Sequence, residues 1–415
     1  MKLIDANRNR AQLSRLVQRG ALDLKRVEKD VCQIVRDVRR KGDTALFRYA
    51  RKLDDFQGKT LRIGESEINA AWQRVAPEFR RALETAAHNI RRFCEWQRPQ
   101  EWIREVQPGI RLGQLVRPIE SVGCYVPGGR HPLPSTLLMT VIPAQVAGVK
   151  RIVVTSPRPA AETLAAAAFL GIEEFYAVGG AQAISALAYG TKSLPRVAKI
   201  VGPGNAYVTA AKKQVAFDCA IDMLAGPTEA VIVSEKGRPQ FLAADLVAQA
   251  EHDPDALSIF ITSNPTLARN VIAECNQQAA SNAVARKSLA RNGYAILTSS
   301  PAEALTVGNA LAPEHLTVAS ERELAQVEAA GSVFVGDFSA QATGDYVSGP
   351  NHVLPTGGSA RYRGGLSVSD FVKLITVQEY SAKGLTTVAK DATALAQAEG
   401  LLAHAQSIAI RMAAS

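Results

Sequence analysis

Short apolar runs alternate with helical patterns between Val122 and Thr262, and no other feature of the sequence restricts the fold as strongly. Most of the runs are rich in β-branched residues, and stretches with helical spacing separate them. The runs are Val122–Val126, Arg151–Thr155, Phe175–Val178, Ala198–Val201, Ala230–Val233 and Ser258–Thr262. Parallel strands need long crossover connections, which are usually helices. The alternation therefore predicts a mainly parallel sheet covered on both faces.

Two later runs, Ala295–Leu297 and Val333–Val335, predict a second sheet. Helical patterns form a lead-in from Arg26 to Trp96 and close the chain from Asp391 onward. We therefore expect an α/β fold with two parallel-sheet, incomplete Rossmann-like domains, a helical lead-in and a C-terminal helical arm. The expected segments are an N-terminal helical arm (1–20), a first α/β domain with the catalytic face (21–120 with 229–366), a second α/β domain with the cofactor loops (121–228) and a C-terminal helical arm (367–415).

Length and composition predict a compact protein with more than one core. The chain has 415 residues, of which 47% are apolar, and single cores stop growing well below this length. Its first residues lack the apolar segment of a secretion signal, and no stretch reaches the roughly 18 uncharged apolar residues that span a bilayer. We expect a cytoplasmic protein without a membrane partner.

Charge and cysteine content exclude two further classes. The net charge of +9 arises partly from stretches such as Arg36–Lys41, where helical spacing interleaves basic and apolar residues. A solvated helix face accounts for this pattern better than nucleic-acid binding does. The five cysteines are widely spaced and include no C-x-x-C pair, which favours core thiols over disulfides or a thiolate metal site.

The sequence contains six histidines, and four of them lie beside other groups that could act as ligands, acids or bases. Gln249 and His252 are three residues apart near the end of a helix that Pro254 breaks, so both side chains lie on one helix face. An amide oxygen and an imidazole nitrogen could approach one ion there. A polar helix end without function is the alternative. His88 and His131 are expected to have no direct role.

Glu314 and His315 are adjacent and immediately precede an apolar run. An imidazole titrates near neutrality, while a carboxylate can activate water or orient its neighbour, so the pair could divide the work of proton transfer. From spacing alone, the two residues could also have a purely structural role.

Three loops have the composition of functional segments. The loop Gly344–Gly358 combines turn-forming and polar residues without the monotony of a linker, and long polar loops on a regular scaffold are often functional. Gly179–Gln182 and Gly202–Asn205 each follow a predicted strand and precede a helix, where backbone N–H groups could bind phosphate. Neither matches the G-x-G-x-x-G fingerprint.

Taken together, these segments resemble histidinol dehydrogenase in order from Tyr125 to His404. The resemblance is carried by Gly-Gly-Ala-Gln-Ala at 179–183, Gly-Pro-Gly-Asn at 202–205, Ala-Gly-Pro-Thr-Glu at 225–229, Gln-Ala-Glu-His at 249–252, Pro-Glu-His-Leu at 313–316 and Asn-His-Val-Leu-Pro-Thr at 351–356. It implies zinc- and NAD-dependent oxidation of L-histidinol through L-histidinal to L-histidine, the last steps of histidine biosynthesis.

The resemblance also implies roles for individual residues. The implied zinc ligands are Gln249, His252, Asp345 and His404. The implied substrate-binding residues are Thr228, Gln249, His252, His315, Asp345, His352, Glu399 and His404. The implied NAD contacts are Tyr125, Gln182 and Asn205. His315 would act as the base in both oxidations and Glu314 would activate water, while Thr228 stands where many relatives have serine.

Family members are domain-swapped homodimers, so the resemblance implies that the C-terminal arm is exchanged and that His404 enters the metal site of the partner.

Three other functions stay open. A related zinc-dependent dehydrogenase acts on a sulfonated diol, but Glu399 and His352 favour histidinol. A zinc hydrolase would use the same ligands without NAD, and a silent binding protein would be expected to have lost a ligand or the base.

Overall fold

The computed structural model describes residues 1–20, 24–128 and 132–414. In this part of the chain the α-helices, α1 to α17 in order, are Arg10–Val17, Lys25–Lys41, Asp43–Leu53, Glu65–Arg74, Pro77–Trp96, Pro134–Ala147, Ala161–Phe169, Gly180–Tyr189, Ala206–Val215, Pro239–Ala250, Pro265–Gln278, Ala283–Asn292, Pro301–Leu311, Glu321–Leu324, Gln341–Tyr346, Ala382–Ala398 and Leu402–Ala413. The strands, β1 to β14, are Lys2–Asp5, Trp102–Gln107, Ile110–Pro118, Ser121–Tyr125, Arg151–Thr155, Glu174–Tyr176, Lys199–Val201, Ala220–Ile221, Glu229–Val233, Leu257–Thr262, Gly293–Leu297, His315–Val318, Ser332–Val335 and Val372–Tyr380.

Five strands form a parallel sheet in the order β6-β5-β4-β7-β8. Counted along the chain from β4, this is the 3-2-1-4-5 order of a doubly wound sheet, with one strand fewer than the full Rossmann arrangement. The direction of winding reverses between β4 and β7. Ligands of such sheets bind where the order reverses, so Tyr125 and Gly202, at the ends of these two strands, are well placed to line a site.

Six strands form the second parallel sheet, in the order β1-β11-β10-β9-β12-β13. Strands β9 to β13 repeat the 3-2-1-4-5 order, and β1 is added outside β11. Every residue of β9 and β10 is buried, because helices cover both faces, and this explains why both strands are mainly apolar. The predicted α/β fold with two parallel sheets is confirmed.

A third, antiparallel sheet of β2, β3 and β14 was not predicted. It corrects the expectation of a purely helical C-terminal arm from residue 367, since Val372–Tyr380 is a strand and two helices, α16 and α17, follow it. The residues of β14 are mostly exposed on both faces. The strand therefore lacks the two-residue alternation that marks a half-buried strand in a sequence.

The N-terminal segments also differ from the expectation. Residues 2–5 form β1 in the six-stranded sheet, so the expected helical arm of residues 1–20 begins with a strand.

The lead-in helices were grouped with the six-stranded sheet, but they pack on the helices of the five-stranded sheet: α2 contacts α8 and α9, α4 contacts α7, and α5 contacts α6. Val31 and Val38 share an apolar cluster with Ile184 and Leu187. Burial of these apolar faces decides the location of the helices.

The two parallel sheets meet at a cleft. Its walls are the carboxyl ends of β4 and β7 on one side and the amino ends of β9 and β12 on the other. No helix in the described ranges is long and apolar enough to cross a membrane.

Candidate active site

The cleft between the sheets has a volume of about 480 Å³ and collects most of the residues that the sequence predicted for catalysis. The predicted residues that line it are Asn205, Thr228, Gln249, His252, Glu314, His315, Asp345 and His352. They come from loops and element ends of both sheets, which explains why they are far apart in the sequence.

His315 is the first residue of β12 and is buried, with 3% of its surface exposed. Its Nδ1 lies 3.2 Å from the backbone carbonyl oxygen of Glu229. A carbonyl only accepts, so Nδ1 carries the proton and Nε2 keeps a lone pair. Nε2 is buried without a hydrogen-bond partner among the described residues and lies 3.9 Å from Oδ1 of Asp345. Burial lowers the pKa of His315, which favours the neutral ring that a general base requires.

Glu314 is buried beside His315 and accepts two hydrogen bonds at one carboxylate oxygen. Thr228 Oγ1 donates to Oε2 at 2.5 Å, and the backbone N–H of Glu229 donates to the same atom at 2.8 Å. Burial raises the pKa of Glu314 to about 8, with a further contribution from the negative charges of Glu229 and Asp345. A carboxylate with a raised pKa is a stronger base than an exposed one.

Three predicted metal ligands, Gln249, His252 and Asp345, line the same cleft. The amide nitrogen of buried Gln249 donates to the Thr228 hydroxyl, so its amide oxygen is the atom left to ligate a cation. One amide oxygen, one imidazole and one carboxylate form an N/O donor set that zinc accepts. Within the described ranges no three His, Cys, Asp or Glu side chains form a cluster able to hold a metal. The three donors of a single chain are of types that suit zinc, but they are one fewer than the four ligands of a complete zinc site.

His352 lies next to this donor set. Its Nδ1 is 2.9 Å from the backbone carbonyl oxygen of Asp345, and its Nε2 is 3.2 Å from Oγ1 of Thr136. Burial lowers the pKa of His352. A neutral ring that donates through Nδ1 also fixes the backbone of the residue that bears the Asp345 carboxylate.

Glu399 and His404 are not part of the cleft in one chain. Glu399 follows α16, His404 lies on α17, and both are exposed. Of the two histidines expected to have no direct role, His88 is exposed on α5, and His131 lies outside the described residues.

The predicted cofactor residues line a second pocket, of about 600 Å³, at the carboxyl edge of the five-stranded sheet. Tyr125, Gln182 and Asn205 all contribute to its wall, and Asn205 also lines the cleft. The Tyr125 hydroxyl accepts from the Gly180 N–H at 3.1 Å. The Asn205 side chain caps α9 by accepting from the backbone of Tyr207 and Val208. The two cavities thus adjoin through one loop.

Two groups at the site were missed by sequence reasoning. Asp54 accepts from the Gly179 N–H and from the Gln182 amide, each at 3.0 Å, and it lines the pocket that contains the predicted cofactor residues. Glu229 forms a bidentate ion pair with Arg19, at 2.7 Å for each bond. The backbone of Glu229 also contacts Glu314 and His315. Glu229 ends the motif Ala-Gly-Pro-Thr-Glu at 225–229 but was given no role, and Asp54 lies outside the motifs that carried the resemblance, so their contacts could be found only in the structure.

Comparison with known proteins identifies the family. A profile of the histidinol dehydrogenase family matches residues 17–412. The chain is 42% identical over 416 residues to histidinol dehydrogenase of Geobacter sulfurreducens, with 97% of each chain covered. It is 46% identical over 393 residues to that of Vibrio parahaemolyticus, which covers 92% of this chain and 91% of the relative. The chain belongs to the histidinol dehydrogenase family.

A solved structure supports the same conclusion. The fold matches the crystal structure of histidinol dehydrogenase from Elizabethkingia anophelis with a TM-score of 0.95 and 35% identity, over 100% of this chain and 98% of that one. Members of the histidinol dehydrogenase family are NAD-dependent oxidoreductases that oxidise histidinol to histidine. The resemblance inferred from the motifs is confirmed.

Proposed function

We propose that this chain oxidises L-histidinol through L-histidinal to L-histidine, with one zinc ion per site and two NAD molecules reduced in succession. The observation that carries the proposal is the buried pair of Glu314 and His315 in a cleft that adjoins the cofactor pocket. An imidazole with a free lone pair and a carboxylate with a raised pKa supply the two bases that a two-step oxidation requires.

His315 serves the first oxidation. Its Nε2 takes the proton of the substrate hydroxyl, while a hydride passes from the carbinol carbon to NAD⁺. The products are an aldehyde and NADH, and the proton is later released to solvent. The absence of a competing hydrogen bond to Nε2 within the described part of the chain supports this role.

Glu314 serves the second oxidation. Its carboxylate takes a proton from water, whose oxygen adds to the aldehyde carbon, and the hydrated aldehyde then passes a hydride to a second NAD⁺. Loss of one water proton to Glu314 leaves the hydrated aldehyde as its anion, and His315 accepts the remaining hydroxyl proton, so the product forms as a carboxylate. The raised pKa of Glu314 makes it a better base for water than an exposed carboxylate.

Tyr125, Gln182 and Asn205 would contact NAD in the pocket at the reversal point of the five-stranded sheet. The N-terminus of α8, at Gly180, lines the same pocket, and helix N-termini favour the negative charge of a pyrophosphate. Asn205 lines both cavities, which supports the transfer of hydride between them.

Gln249, His252 and Asp345 would hold the zinc ion, with His404 of a second copy of the chain as the fourth ligand. The ion would supply a template that holds the imidazole and amino nitrogens of the substrate. His352, and Glu399 of the second copy, would contact the same substrate.

A homodimer with exchanged C-terminal arms would complete this site. Apolar side chains on α16 and α17 are exposed in the single chain, among them Leu395 at 67%, Leu402 at 70% and Ile410 at 58%. Large exposed apolar residues on one arm are typical of an interface. His404 lies on the same arm, so its absence from the cleft of its own chain supports a shared site.

The substrate can be tested by recording NADH absorbance with zinc-loaded protein, NAD and either L-histidinol or a sulfonated diol. We expect NADH to form with L-histidinol and not with the sulfonated diol. Turnover of the diol alone would assign the chain to the related dehydrogenases, and an NAD-independent hydrolysis would favour the hydrolase reading.

A further inference from the structure

A fully buried ion pair lies beneath the loop Gly202–Asn205. Lys212, on α9, has 3% of its side chain exposed, and Asp222, after β8, has 0%. The Lys212 Nζ and the Asp222 Oδ1 are 2.6 Å apart. Removal of two charges from water costs several kcal/mol per ion in proteins, and apolar residues of similar volume often replace such pairs without loss of stability. The attraction between the two charges therefore gives folding little net free energy, and the role of the pair depends on which other groups the two side chains bind.

Both charged groups hold the backbone of one residue, Gly202. The Gly202 N–H donates to Asp222 Oδ2 at 2.7 Å, and Lys212 Nζ donates to the Gly202 carbonyl oxygen at 2.5 Å. Gly202 has a φ of +113°, and a Cβ at this position would lie 2.1 Å from the carbonyl oxygen of Tyr125. The pair thus fixes a backbone conformation that only glycine adopts readily, directly against the end of β4.

The fixed loop separates the two cavities. Residues 203–206 line the cleft, and Asn205 and Tyr207 line the cofactor pocket. Gly202 follows β7, at the point where the strand order of the five-stranded sheet reverses. A shift of Gly202 would therefore move Asn205 and the start of α9 relative to a bound dinucleotide.

We propose that Lys212 and Asp222 are positioning residues for NAD, which act by holding Gly202 and thereby the loop that carries Asn205. Neither side chain lines the cofactor pocket, so neither would touch a dinucleotide bound there. This inference rests on the proposed function, because it takes that pocket as the NAD site. An apolar pair could fill the same volume, but it could not hold both the N–H and the carbonyl of Gly202.

The test compares two double variants with the wild type. Lys212→Met with Asp222→Leu removes the charges and the hydrogen bonds, whereas Lys212→Gln with Asp222→Asn removes the charges and keeps donors and acceptors. The measurements are Tm and the separate KM values for NAD and L-histidinol. We expect the apolar pair to fold with a lowered Tm, because the Gly202 N–H and carbonyl lose their partners, and to raise the KM for NAD about tenfold. The KM for L-histidinol at saturating NAD should change less than twofold.

The amide pair should restore a KM for NAD close to that of the wild type, because it restores the hydrogen bonds to Gly202. Arg151→Met with Glu174→Leu is the control. It removes an ion pair of 2.7 Å at the opposite edge of the same sheet, where β5 and β6 begin, and it should leave both KM values unchanged.

An apolar pair that fails to fold, or that folds with an unchanged KM for NAD, would overturn the proposal, because the ion pair would then serve folding alone. A wild-type protein that forms no NADH from L-histidinol would instead contradict the proposed function. The two failures are therefore distinguishable.

Discussion

His315 is held in the form of a base by its surroundings. The Glu229 carbonyl fixes the proton on Nδ1, and burial lowers the pKa, so the ring is neutral with its lone pair on Nε2. The resemblance implied that His315 would be the base, and this role stays a prediction. It could not predict the tautomer, since the partner is a backbone carbonyl on another strand.

His315→Asn should lower kcat by roughly 10²–10⁴-fold, the usual contribution of a general base. The zinc content should stay close to that of the wild type, because His315 is proposed as a base and not as a ligand. Steady-state NADH formation and metal analysis of the same samples test this. Loss of the metal from the variant would show that His315 has been given the wrong role.

Glu314 should make stability depend on pH in the metal-free protein. Its pKa is raised from 4.5 to about 8, so the protonated carboxyl stabilises the folded state at low pH, and this contribution is lost as the pH rises through about 8. From about pH 5 to about pH 9, the wild type should lose a few kcal/mol more free energy of unfolding than Glu314→Gln. Denaturant titrations of both proteins measure this difference. Parallel pH profiles would contradict the raised pKa.

Among the elements, those with local signals were predicted best. The strand Arg151–Thr155 has the predicted bounds, and β9 and β10 start one residue before the predicted ones, because buried parallel strands are mainly apolar. β14 was missed because its residues are mostly exposed and give no two-residue alternation, and β1 was missed because it is a short edge strand whose partner, β11, is distant in the sequence. The site depends on the same long-range pairing, so its residues could be named from motifs, while their contacts required the structure.

Gly202→Ala should test how tightly the loop is held against β4. The added methyl group would meet the Tyr125 carbonyl oxygen at 2.1 Å in a backbone of positive φ. We expect a loss of about 2 kcal/mol or more in the free energy of unfolding, measured by denaturant titration. Gly171→Ala is the matched control, since Gly171 also has a positive φ, +67°, but open space around it. It should cost about 1 kcal/mol, and equal losses at both positions would show that the contact has no effect.

The whole molecule is proposed to function as a pair of chains, and complementation tests this. His315→Asn lacks the base and His404→Ala lacks the arm ligand, so each variant alone should be nearly inactive. Dimers that contain one copy of each have one intact site, and random pairing should restore roughly a quarter of the wild-type activity. Mixed refolding or co-expression, followed by the NADH assay, measures this recovery. Activity that stays at the level of the single variants would indicate sites formed within one chain.

One site is proposed to carry out two successive oxidations, and the NADH yield per substrate measures this directly. A limiting amount of L-histidinol is converted to completion by zinc-loaded protein in excess NAD, and a chelator-treated sample serves as the control. We expect two NADH per L-histidinol, L-histidine as the product, and loss of both after chelation. One NADH per L-histidinol with an accumulating aldehyde, or full activity after chelation, would contradict this proposal.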